Sequence, residues 1–114
     1  MKRVEAFIQP HRLSKVVRAL HELPSFTGFT VVGGKGQGHG RGVGGHYAFG
    51  NDSLMYQDRQ VLIVICADTD ADLIAQTIAA AAHTHNPGDG LVSVSDVLQV
   101  LRIADAHTHA GESQ

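Results

Sequence analysis

The sequence predicts an α+β domain with the order strand, helix, strand, strand, helix, strand. Three observations carry this. Two stretches place apolar residues at helical spacing, around Leu13–Leu23 and Leu73–Ala81. Extended stretches flank them, the clearest being Val4, Ala6 and Ile8 alternating with Arg3, Glu5, Phe7 and Gln9. Between the helical stretches lies Val61-Leu62-Ile63-Val64-Ile65, an apolar run without alternation.

Each element follows from its residues. The period of two over residues 3–9 reads as a strand, and Pro10 ends it because proline donates no ladder hydrogen bond. Leu13, Val16, Val17, Leu20 and Leu23 form one stripe, with Lys15, Arg18 and His21 between them, and Pro24 closes that helix. Phe26–Val32 is rich in aromatic and β-branched residues and reads as a second strand. Gln60–Ala67 reads as a central strand buried on both faces. Asp68-Thr69-Asp70 offers an N-cap and early negative charge to a second helix. Its expected buried face is Leu73, Ile74, Thr77, Ile78 and Ala81. After the Asn-Pro-Gly break at 83–90, Val92 and Val94 alternate with Ser93 and Ser95 in a fourth strand. Leu98–Ile103 either continues that strand or forms a fifth, and residues 105–114 read as a polar tail. This order is the ferredoxin-like βαββαβ sandwich, one sheet with both helices on one face. Phe7 should point to the uncovered face, and an exposed apolar sheet face predicts a homo-oligomer.

Composition narrows the function. A chain of 114 residues supports one core. The formal charge of -2 argues against nucleic-acid binding, which needs a surplus of Lys and Arg. The start, Met1-Lys2-Arg3-Val4-Glu5, carries a carboxylate where a signal peptide is apolar, and no apolar run is long enough to insert in a membrane. A cytoplasmic location is expected. The single cysteine, Cys66, lies in an apolar run and reads as a buried thiol. Nothing resembles a nucleophile elbow or triad, so no enzyme is predicted.

Nine of the 13 glycines fall between Gly33 and Gly50. They occupy a strand connection, about residues 34–59, far longer than the ~2–5 residues usual in hairpins. Gly40-Arg41-Gly42-Val43-Gly44-Gly45 matches G-x-G-x-x-G, but no helix signal follows, so the dinucleotide reading fails. Lys35 is followed by Gly36 rather than Ser or Thr, so the stretch is not a Walker A loop either.

Several segments resemble one family in the right order. Residues Met1 to Pro10 look like the opening strand of P-II nitrogen regulatory proteins, and Thr27-Gly28-Phe29-Thr30-Val31 resembles their second strand. Gly34-Lys35-Gly36-Gln37-Gly38-His39-Gly40 resembles the start of their T-loop. Gly88-Asp89-Gly90 with the following Leu91–Val97 resembles their B-loop and fourth strand, and Val100–Ile103 the next stretch. The resemblance covers residues 1–104. It implies a homotrimer that binds an adenine nucleotide effector between subunits, requires no cofactor, and uses the T-loop to regulate a membrane transporter or an enzyme. By position, Gly28, Thr30, Gly36, Gln37, Gly88, Asp89, Gly90 and Arg102 would line the nucleotide cleft. In the T-loop, His39, Arg41, His46 and Tyr47 would meet the partner.

The chain departs from the family where cations are expected. Leu91 stands where a lysine follows the B-loop, Ala104 replaces an arginine two residues past Arg102, and Asp58 aligns with a lysine before the third strand. Each charge-assisted contact is worth roughly 1.5–3 kcal/mol. Their loss disfavours ATP and favours a less charged nucleotide such as ADP or AMP. A second reading comes from the 8 histidines. His83-Thr84-His85 and His107-Thr108-His109 are H-x-H pairs, and imidazole suits zinc, copper and nickel. That reading predicts a metal sensor or a metal-tolerance protein tied to heavy-metal efflux.

Overall fold

The computed structural model describes residues 1–36 and 57–105. A four-stranded antiparallel sheet, ordered β2-β3-β1-β4, carries two helices on one face. The strands are β1 (Lys2–Ile8), β2 (Thr30–Gly36), β3 (Gln57–Cys66) and β4 (Gly90–Asp96), and the helices are α1 (Leu13–His21) and α2 (Ala71–Ala82). The ferredoxin-like α+β arrangement is therefore the observed fold. β1 lies between β3 and β4, pairing Lys2 with Cys66 and Asp96 at one end and Ile8 with Gln60 and Gly90 at the other.

Alternation decides which residues enter the core. Val4, Ala6 and Ile8 of β1 and Leu62, Val64 and Cys66 of β3 are buried beneath the helices. Val16 and Leu20 of α1 and Ile74 and Ile78 of α2 meet them. Fully burying an aliphatic side chain of this size contributes about 1.5–3 kcal/mol. Burial pushes the Cys66 thiol above its ordinary pKa, with the carboxylate of Asp70 adding to the shift. The thiol stays protonated and unreactive.

Pro10 opens a single 3-10 turn, Pro10–Arg12, that leads directly into α1. The helix stops at His21, ahead of the Pro24 that cannot continue it. In α2, Ala71, Ile74, Ile78, Ala81 and Ala82 face the core, but Leu73 is 51% exposed, on the outer side of the stripe. The Thr77 hydroxyl donates to the Leu73 carbonyl at 2.7 Å. No side chain of Asp68-Thr69-Asp70 caps α2; these residues form a 3-10 turn, and Asp68 pairs with the Met1 amine at 2.7 Å.

Three strand expectations are corrected. β2 begins at Thr30, not Phe26, because Gly28 at φ 138° turns the chain. Phe26 and Phe29 stack at 6.1 Å and both meet the His21 ring edge-on. β2 also continues into the glycines, pairing Gly36 with Gln57, so the hairpin ladder takes in both ends of the expected 34–59 connection. Residues 97–102 neither extend β4 nor form a fifth strand; Val97 donates to the Met1 carbonyl and a 3-10 turn follows at Ile103–Asp105.

The third correction concerns β3. Its even-numbered apolar residues are buried, but Val61, Ile63 and Ile65 are only partly covered. They share the open face with Phe7, as the alternation of β1 requires. Both helices lie on the other side, so among the described residues only one face of this apolar strand is covered by helices. Val32, at 50% exposure, and Leu91, at 59%, extend the same open face.

Candidate functional site

The turn before β4 is the most constrained piece of backbone outside the core. Gly88 has φ 86° and Gly90 φ 102°, conformations that L-residues rarely adopt. Gly90 is bound by space as well. A Cβ there would stand 1.7 Å from the Phe7 carbonyl oxygen, across the rung that pairs Ile8 with Gly90.

Side chains from three directions hold this turn. The Gly88 carbonyl accepts from Gln9 Nε2 at 3.2 Å and from Arg59 Nη2 at 2.9 Å. Asp89 accepts from the Thr84 amide at 2.9 Å and from the Thr84 hydroxyl. Those bonds from Thr84 hold the Asp89 carboxyl below its ordinary pKa, with smaller help from His83 and Arg12. Arg12 Nη2 donates to Ala81 O at 2.8 Å and so closes the last turn of α2. A hollow of about 180 Å³ borders the turn, with Phe7, Ile8, Ala82, His83 and Asp89 in its wall. Backbone N–H groups of a glycine turn are able to approach an anion closely, which is what a phosphate cradle requires.

The residues named for the cleft fall into separate groups. Gly36, Gly88, Asp89 and Gly90 gather at one end of the sheet. Arg59 lies between two of them, its Cγ 3.6 Å from a Cβ placed on Gly36 and its Nη2 3.6 Å from one placed on Gly88. Thr30 pairs with Ile63, whereas Gly36 pairs with Gln57. Six residues of strand therefore separate them, roughly 20 Å. Gly28 precedes Thr30 and lies farther still from the turn. Arg102 follows β4 at the sheet's opposite end, where a hollow of about 430 Å³ is lined by Met1, residues 97–102 and Asp105. The fold of one chain thus does not bring Gly28, Thr30 and Arg102 to the turn. Gln37, His39, Arg41, His46 and Tyr47 lie outside the described residues.

The histidine expectation fares differently. The His83 and His85 rings meet edge-on at 4.2 Å, with His85 at φ 68°. Among the described residues, however, no group of three or more His, Cys, Asp or Glu side chains is placed to hold a metal ion. A zinc site takes three or four protein ligands. His107 and His109 lie outside the described residues.

Arg59 is the residue the motif reading missed. Its neighbour Asp58 was aligned with a family lysine, but Asp58 pairs with Lys35 at 2.7 Å, across the β2–β3 rung that joins them. No local motif marks Arg59; only the strand register brings it to Gly88.

Comparison with known proteins finds relatives along most of the chain. The family model described as Nitrogen regulatory protein P-II matches residues 1–107. The nitrogen regulatory protein P-II of Rhizobium meliloti (strain 1021) is 34% identical over 95% of this chain and 96% of its own length. That of Azospirillum brasilense is 34% identical over 90% of this chain and 91% of its own. A more distant relative, nitrogen regulatory protein P-II 2 of Methanothermobacter thermautotrophicus, is 31% identical over 90% of this chain and 89% of its own.

Proposed function

Because this chain belongs to the nitrogen regulatory protein P-II family, and so is a signal-transduction regulator rather than an enzyme, we propose that it works as a homotrimeric sensor of an adenine nucleotide. The effector binds between neighbouring copies. Occupancy is passed through the T-loop, residues 34–59, to a membrane transporter or an enzyme. The domain spans residues 1–104, followed by a tail.

One observation carries the reading. Thr30 and Gly36 stand at opposite ends of β2, roughly 20 Å apart, with Gly88–Gly90 on the Gly36 side and Arg102 near Met1 at the sheet's other end. A neighbouring copy that sets its Thr30 end against this turn completes the set. The uncovered face gives copies a reason to associate. Phe7, Val32, Val61, Ile63 and Leu91 place apolar surface there, and an apolar sheet face without helices favours a partner. Residues 97–103 expose further apolar surface, with Leu98 fully exposed and Ile103 93% exposed.

The roles follow from chemistry. Glycine N–H groups of the turn meet phosphate, Arg102 pairs with it, and Thr30 bonds base or ribose. With Leu91 and Ala104 at the two cation positions, ADP or AMP is the favoured effector among the adenine nucleotides. Among the described residues no helix is long and apolar enough to cross a membrane. The reading assigns a cytoplasmic protein that docks on a transporter from outside the bilayer.

Calorimetry with ATP, ADP and AMP, paired with sedimentation velocity, tests this. A trimer that binds at least one of the three nucleotides is expected. A monomer, or a trimer that binds none, would overturn it.

A further inference from the structure

Positions 91 and 104 carry no cation, but Arg59 lies against the Gly88 turn. The Arg59 guanidinium donates from Nη2 to Gly88 O at 2.9 Å and to Gln57 Oε1 at 3.0 Å, and from Nη1 to Asp58 O at 2.9 Å. All three acceptors are neutral. The ion pairs among the described residues join Lys2 to Asp96, Arg3 to Glu5, Lys35 to Asp58 and the Met1 amine to Asp68. Arg59 takes part in none. A full positive charge therefore lies against the glycine turn without a carboxylate partner among those residues. The nearby Asp89 carboxylate is engaged by the Thr84 amide and hydroxyl. Glycines stand on two sides of the arginine, Gly36 along its stem and Gly88 at its head.

We infer that Arg59 is a second phosphate-binding cation of this site, beside the Arg102 that a neighbouring copy supplies, and that it links the site to the foot of β3. A nucleotide phosphate seated on the Gly88–Gly90 turn offers the guanidinium a charged, bidentate acceptor in place of the Gly88 carbonyl. Charge-assisted bonds of this kind are roughly twice as strong as neutral ones. When the guanidinium turns to phosphate, it gives up Gln57 Oε1 and Asp58 O, which belong to the first two residues of β3. Occupancy of the turn is thereby read at the strand end that follows residues 37–56. This rests on the nucleotide-binding reading above and adds to it a second residue that carries the charge. It also selects between the two effectors favoured above, ADP over AMP, because a second phosphate gives the guanidinium more charge to meet.

Calorimetry on the full chain tests it, with ATP, ADP, AMP and adenosine as probes, on the wild type, R59Q, R59K and the charge-matched control K15A. Lys15 is an exposed residue of α1 far from the turn in sequence. The wild type should bind ADP more tightly than AMP. R59Q should weaken ATP by about 10- to 100-fold, ADP by less, AMP by less again and adenosine hardly at all. R59K should recover part of the ATP loss, and K15A should behave as wild type. A role only in holding Gly88 O predicts the same loss for all four probes. An equal loss, or no loss, in R59Q while the wild type binds ATP would therefore overturn the inference and leave the nucleotide reading standing. A wild type that binds none of the probes would overturn both. Should R59Q fail to fold, amide exchange of residues 57–60 in the wild type decides. Faster exchange on adding ATP is expected, and unchanged exchange at saturation counts against the link.

Discussion

At Gly90 a Cβ would stand 1.7 Å from a backbone oxygen, whereas at Gly33 and Gly34 nothing lies within 4 Å of one. The same residue type answers two different demands. The Gly88–Gly90 turn needs glycine for the chain's own fold, through left-handed backbone at both residues and through the Phe7 carbonyl at the second. The glycines of β2 are ordinary extended residues on an edge strand, and glycine weakens a strand by roughly 0.5–1 kcal/mol relative to alanine. A bare strand edge that the single chain does not require is what a second molecule coming close to the backbone would use.

Substitutions separate the two sets, and Gly90→Ala should have the largest effect. It combines overpacking against backbone with an unfavourable φ, and should cost at least about 3 kcal/mol in urea unfolding. A loss below about 1 kcal/mol would show that the Phe7 contact relaxes easily. Gly88→Ala comes next, at about 1–2 kcal/mol, because it carries the backbone strain without the collision.

Thr84→Val should be milder, about 1 kcal/mol, since it removes the hydroxyl bond to Asp89 and leaves the amide bond. Its pH dependence has a definite sign. Asp89 has a folded pKa below its unfolded value, so its contribution is present above the unfolded value and lost as pH falls through the folded one. The stability gap between wild type and Asp89→Asn should be widest near neutrality and close as acid protonates the carboxyl. Unfolding curves across that range check it, and a gap constant with pH would assign the effect to packing. Gly34→Ala should change least, staying within about 1 kcal/mol of wild type and tending toward greater stability in the isolated chain. A drop in trimer affinity or ligand binding at unchanged stability would show that another molecule approaches β2 there.

The fold was legible because its signals are local. Val4, Ala6 and Ile8 announce a one-sided strand, and Val16, Leu20, Ile74 and Ile78 announce helical stripes, with no knowledge of what they pack against. Errors arose where a local preference was outweighed. Phe26 and Phe29 have strand-forming side chains, yet they pack with His21, with Gly28 turning the chain between them just ahead of β2. Leu73 has the right spacing for the core, yet it falls at the rim of the stripe. The site was legible only in part. Gly88-Asp89-Gly90 was legible through its resemblance to the family's B-loop, and the structure adds the backbone requirement behind it. Arg59 was not, because its partner is a carbonyl 29 positions away in the chain, reached through the β3–β1–β4 register.

By itself the sequence determined the element order, most of the buried stripes and the family. These depend on periodicity and backbone geometry, which operate over a few neighbouring residues. The tertiary structure alone decided that the helices cover β3 on one face, that the cleft residues are divided along the sheet, and that Arg59 rests on Gly88. These depend on strand register and on which side of the sheet the helices occupy, and long-range pairing is not written in any short stretch of chain.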